Sequence, residues 1–110
     1  MVNRERGEVA IVLGGTEYCL RPTFQALAEI ETRAGVGLVP LARRFLEREF
    51  GLKEVLAVLG PAIEAGGAKP PADLGDCVVR AGIANYFGPV SEFLTLALGG
   101  ETSWPSTSES

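Results

Sequence analysis

Apolar positions along this chain follow two rhythms, a period of two up to residue 20 and a helical period after it. Val9, Ile11 and Leu13 fall on one face of a strand, and Ala10 and Val12 make its other face apolar too. Gly14-Gly15 supplies the two positive-φ positions of a tight turn. In the returning strand, Tyr18 and Leu20 alternate with Glu17, Cys19 and Arg21. The pattern predicts an antiparallel hairpin with its first strand buried on both faces and its second on one. Residues 1–7 are polar and read as a loose lead-in.

The helical rhythm opens after Pro22, with Thr23 as the N-cap. Phe24, Leu27, Ala28 and Ile30 form an apolar stripe, Glu29, Glu31 and Arg33 a wet side, and Gly35 is placed to end the helix. A second helix is expected from Val39-Pro40, with Leu41, Ala42, Phe45, Leu46 and Phe50 at helical spacing and Gly51 closing it. A third spans Leu52 to Ala65, with Val55, Leu56, Leu59 and Ile63 apolar, and Gly60-Pro61 inside it predicts a kink or split. GGAKPPA at 66–72 is a loop. A fourth helix runs from Asp73 until Gly82, carrying Leu74, Val78, Val79 and Ala81. The last covers Ile83 to Leu98, with Pro89 early in its main part.

The fold class expected is therefore α+β and mainly helical, an N-terminal antiparallel β-hairpin packed against four or five short helices. Phe24, Leu27, Ile30, Leu41, Phe45, Leu46, Leu56, Leu59, Val79, Phe87, Phe93 and Leu94 are the expected core. At 110 residues the chain suits one domain, taken as residues 1–99. The polar tail 100–110 is expected to be disordered, with Trp104 as its single aromatic and either an anchor or an untethered side chain.

A net charge of −4 argues against a nucleic-acid partner, which needs clustered positive charge. The N-terminus lacks a signal-peptide core, and no apolar run approaches the ~20 residues of a membrane span, so a cytoplasmic protein without membrane contact is expected. The chain has no histidine, which removes the usual general base and the commonest metal ligand. Cys19 and Cys77 are expected as two buried free thiols, with a single bridge the alternative. Without a paired base neither suits nucleophilic catalysis. The carboxylates Glu29, Glu31, Glu47, Glu49 and Glu54 read as a solvated surface rather than an acid–base or metal site. No catalytic, cofactor or metal site is expected.

Two surfaces remain as candidates for partners. A two-stranded sheet leaves both edges open, so Val9, Ala10, Val12 and Tyr18 either lie under helices or pair with another subunit or an extended peptide. Arg43, Arg44 and Arg48 form the main basic cluster, interrupted by Glu47 and Glu49, with Arg44–Glu47 an expected helical ion pair. They read as a solvated face or as a dock for an acidic partner.

The runs N-R-E-R-G-E-V at 3–9 and L-G-G-T-E-Y-C-L-R-P-T-F-Q-A-L-A-E-I-E at 13–31 resemble the gene transfer agent family of phage-like tail proteins. Gly35-Val36-Gly37-Leu38, A-G-G at 65–67 and V-V-R-A-G-I at 78–83 are similar too, so the resemblance covers about residues 3–99. That family is grouped with phage tail assembly chaperones and is not enzymatic. The resemblance implies a tail morphogenesis protein of a prophage or gene transfer agent. Its first implied role is a chaperone that binds the tail tape-measure protein; the alternative is a structural minor tail or tail tube component retained in the particle. The implied partners are the tape-measure protein or other tail proteins, or further copies of the chain.

Overall fold

The computed structural model describes residues 2–99, so the expected disorder of the tail and the role of Trp104 lie outside the described residues. Strands β1 (Val9–Leu13) and β2 (Thr16–Leu20) pair antiparallel, from Val9 opposite Leu20 to Leu13 opposite Thr16. Gly14 and Gly15 make the turn at φ 56° and 82°, a region that side chains with a Cβ disfavour. Directly opposed residues share a face, so Val9, Ile11, Leu13, Tyr18 and Leu20 point one way. That face is the buried one. Ala10 and Val12 are exposed, Val12 at 60%, so β1 is not covered on both faces as expected. Helices line one face of the ribbon only, and the opposite face keeps its small apolar side chains in water.

The lead-in is not loose. A 3₁₀ turn at Arg4–Arg6 is closed by the Asn3 carbonyl, which accepts the Arg6 and Glu8 N–H groups at 3.0 and 3.1 Å. Gly7 and Glu8 are buried behind it.

Five α-helices follow: α1 (Phe24–Ala34), α2 (Leu38–Leu46), α3 (Leu52–Ala65), α4 (Leu74–Ala81) and α5 (Phe87–Gly99). Thr23 caps α1 as expected, its Oγ1 accepting the Ala26 N–H at 3.1 Å. Gly35 ends it in the left-handed region at φ 77°, its N–H donating to Glu31 O. The buried face of α1 is Ala26, Ile30 and Ala34, spaced at i+4, with Leu27 half-buried. Phe24 is 88% exposed and Ala28 also faces solvent. The alanines, not the phenylalanine, make the contact, because small residues let α1 lie close on α3.

Leu46 (64% exposed) and Val79 (53%) also leave the expected core. Each directly follows a buried residue, Phe45 or Val78, and one helical step of about 100° carries it off the inward face. Helix α2 ends at Leu46 rather than at Gly51. Phe50 belongs to the connection, stacks on Phe45 at 4.6 Å and reaches Phe87 of α5 at 5.8 Å. Helix α3 is continuous through Gly60-Pro61, both buried, and is not split. Ile83–Tyr86 forms a 3₁₀ turn rather than part of the last helix, set off from α4 by Gly82 at φ 99°.

The core sits between the inner face of the hairpin and α3, closed by α1, α2 and α5. Leu20, Ile30, Leu41, Phe45, Leu59, Ile63, Phe93 and Leu94 are fully buried within it. Two backbone contacts tie the end of the hairpin to α3. Arg21 donates its backbone N–H to Ala62 O at 3.2 Å, and the Cys19 carbonyl lies against Gly66 just beyond α3.

Candidate functional site

The hairpin register dictates which backbone groups are available. In a two-residue hairpin the residues flanking the turn exchange both bonds, so Leu13, Ile11 and Val9 direct their N–H and C=O to β2. Ala10 and Val12 direct theirs outward. Tyr86, only 3% exposed, reaches this edge from the 3₁₀ turn and donates its hydroxyl to Val12 O at 3.3 Å. A groove of about 460 Å³ runs beside it, lined by Ala10, Val12, Glu17, Ala81, Tyr86 and Pro89 among others. The edge is thus partly covered: its Val12 carbonyl is occupied and its side chains remain open.

The four hairpin candidates separate on this geometry. Ala10 and Val12 lie on the open face. Val9 is 4% exposed and belongs to the core, so it offers no docking surface. Tyr18 shares the inner face with Ile11 and is half-buried against the core. At the other edge, Ala62 O takes the Arg21 N–H just past β2 and Gly66 lies against the Cys19 carbonyl.

The basic cluster also disperses. Arg43 projects from α2 into solvent. Arg44 pairs with Glu54 of α3 at 3.3 Å, not with Glu47. Glu54 Oε1 also accepts the Gly51 N–H at 2.8 Å, and that bond first, with Arg44 adding, holds its carboxyl below its ordinary pKa despite partial burial. Arg48 lies past the end of α2 with its guanidinium 4.7 Å over the Phe87 ring. Its φ of 59° is unusual for a residue with a side chain. Glu49 N–H reaches Arg44 O at 2.7 Å and Arg48 N–H reaches Phe45 O at 3.2 Å, so Arg48 fills the left-handed position of a Schellman cap that glycine normally takes. No shared basic patch survives.

The site that the sequence reading missed is Glu8. It is 1% exposed, accepts Arg21 Nε at 2.9 Å and the Asn3 N–H at 2.8 Å. The Asn3 bond first, and Arg21 with it, holds the Glu8 carboxyl below its ordinary pKa against the opposing effect of burial. The signal was present: continuing the hairpin register one step beyond Val9–Leu20 sets Glu8 opposite Arg21. The node is structural, since it clamps the open end of the hairpin.

Neither thiol is activated. Both are free and half-buried rather than buried. Burial, then the Glu8 charge, pushes the Cys19 thiol up; burial, then Asp73, does the same at Cys77. Glu29 in the polar cleft between α1 and α3 is tied to Arg33 at 2.9 Å. Among the described residues no group of three or more Cys, Asp or Glu side chains could hold a metal ion, and no helix is long and apolar enough to cross a membrane.

The fold is a helical body with a one-sided hairpin, and it leaves Val12, Phe24, Val39 and Leu46 exposed on its surface. The family model described as phage tail tube protein, GTA-gp10, matches residues 6–100. The chain belongs to that family, and is a non-enzymatic tail morphogenesis protein of the phage and gene transfer agent type. No curated protein and no solved structure matches it.

Proposed function

We propose that the chain is a structural component of the tail, built into or onto the tube and retained in the finished particle. The observation that carries this reading is the family's description as a tail tube protein over nearly the whole described chain. The geometry supports it in one respect. The outer face of the hairpin, Ala10 and Val12 beside the Tyr86 groove, is the surface offered to neighbouring tail proteins. Burial there would remove Val12 from water without disturbing the core.

Quantitative mass spectrometry of purified particles tests it. A structural component is found at a fixed ratio to the other tail proteins. Absence from particles that assemble normally would sink the reading.

A second reading, a tail assembly chaperone that binds the tape-measure protein, draws support from Phe24. An aromatic ring 88% exposed on an acidic body suits transient cover of an apolar client. It requires the opposite result: soluble recovery of the tape-measure protein on co-expression, and no copy in the particle.

A further inference from the structure

Helix α2 carries an outward face that the fold does not use. Val39 (55% exposed) and Leu46 (64%) lie on it with Arg43 between them and Glu47, the C-cap residue, next to it. At 3.6 residues per turn these four positions span an arc of about 100°. The opposite side, Leu41, Ala42 and Phe45, is buried against the rest of the fold.

The two charges on this face are idle. Among the described residues, neither Arg43 nor Glu47 makes an ion pair, whereas Arg21, Arg33, Arg44 and Arg80 all do. Their order explains it in part: a cation four residues before a carboxylate is the weaker helical arrangement. Glu47 also sits at the negative end of the helix, where a carboxylate is disfavoured until a cation approaches.

We propose that this face binds a second copy of the chain, through a two-fold antiparallel contact between the two α2 helices. With the axis at the level of residue 45, Arg43 of each copy meets Glu47 of the other. At a rise of 1.5 Å per residue, the two Leu46 side chains then lie about 3 Å apart along the axis and pack together. The face is complementary to itself in this arrangement. An in-register parallel contact sets Arg43 beside Arg43, and a partner patch carrying a single sign of charge satisfies one of the two ions and repels the other. The isologous form is the commonest symmetry of soluble oligomers. The contact is small, so it makes a weak, concentration-dependent dimer in solution. It holds whether or not the chain remains in the particle.

Sedimentation equilibrium of the full-length protein, from low micromolar to near-millimolar concentration, tests the contact. The wild type is expected to dimerise. Arg43→Glu and Glu47→Arg should each weaken association by about tenfold or more, because each turns two attractions into two repulsions. The double variant Arg43→Glu/Glu47→Arg should recover it, since the pairs are re-formed with signs reversed. Leu46→Asp should abolish it. All three substituted residues are exposed, so circular dichroism should show unchanged folding. A wild type that stays monomeric across the range overturns the proposal. So do single swaps without effect, or a double swap that fails to recover association.

Discussion

Replacing Gly66 with alanine isolates the close approach of β2 to the end of α3, one of the contacts that join the hairpin to the helices. A Cβ built there falls 2.9 Å from the Cys19 carbonyl carbon and 3.3 Å from Cys19 Cβ, and closer still to the carbonyl oxygen. The crowding is against backbone, which cannot swing aside as a side-chain tip would. Gly66 has φ −78°, so alanine meets no conformational penalty of its own. Strand β2 must therefore retreat from α3. A gap of 0.5–1 Å forfeits roughly a quarter to a half of each dispersion contact it opens. The Arg21–Ala62 bond, already 3.2 Å, would stretch out of range, at about 0.5–1.5 kcal/mol. Against this, Gly→Ala at a compatible position restricts the unfolded chain, stabilising by about 0.4–1 kcal/mol. Overpacking of this kind costs about 1–3 kcal/mol net, and each kcal/mol lowers Tm by roughly 4–8 °C in a domain of this size. Gly75→Ala is the control. Its Cβ would meet Leu56 Cδ1 at an ordinary 3.6 Å and it sits inside α4, so it should stabilise by up to about 0.5–1 kcal/mol. Urea and thermal unfolding followed by circular dichroism read both. A Gly66→Ala loss below about 0.5 kcal/mol would refute the docking of β2 on α3 as the joint of the fold.

Phe45→Ala should cost about 3–5 kcal/mol, since Phe45 is fully buried and stacked on Phe50. Phe24→Ala, at 88% exposure, should change stability by less than about 0.5 kcal/mol, and the same unfolding curves compare the two. The folded pKa of Glu8 is depressed, so its stabilisation is present above about pH 4.5 and is lost as pH falls from there through the folded value. Glu8→Gln should lower Tm at pH 7 and flatten the fall of Tm below that window; a parallel acid limb in both proteins would contradict the buried ion pair. Cys19 and Cys77, with raised pKa values, should react with a disulfide reagent at pH 7.5 more slowly than a free cysteine, and faster reaction would contradict their protonated state.

The elements most legible in the sequence are those fixed by local backbone chemistry. Gly14-Gly15 dictated the turn and hence the register, and Thr23 and Gly35 dictated both ends of α1. What escaped was which side of each element faces inward. Apolar size suggested Phe24, Leu46 and Val79 for the core, but tertiary contact selected Ala26, Phe45 and Val78. A helix pressed close to its neighbour needs small residues, and periodicity alone cannot see the neighbour. Pro61 suggested a break because it removes a local hydrogen bond, yet burial on all sides carries α3 through it. Of the candidate surfaces, Ala10 and Val12 lie in the open, whereas the unbroken apolar run of β1 predicted cover on both sides. The basic residues were grouped by sequence alone. In space two of the three are diverted, Arg44 to Glu54 and Arg48 to Phe87, while Arg43 stays in solvent.

Stability and contact with partners are carried by different residues in this fold. An isolated two-stranded hairpin is marginal in water, and here it is secured on three sides: the Glu8–Arg21 pair at its open end, Ala62 and Gly66 along β2, and the buried row Val9, Ile11, Leu13 beneath β1. Those residues are committed. Val12, Phe24, Val39 and Leu46 are exposed and support none of those contacts. A polar replacement at any of them leaves the body intact and removes apolar surface from whatever it meets. Assembly defects without loss of Tm should therefore map to these four positions, and loss of Tm to the first group. A protein that acts by docking can tolerate exposed apolar side chains only because its rigidity comes from elsewhere.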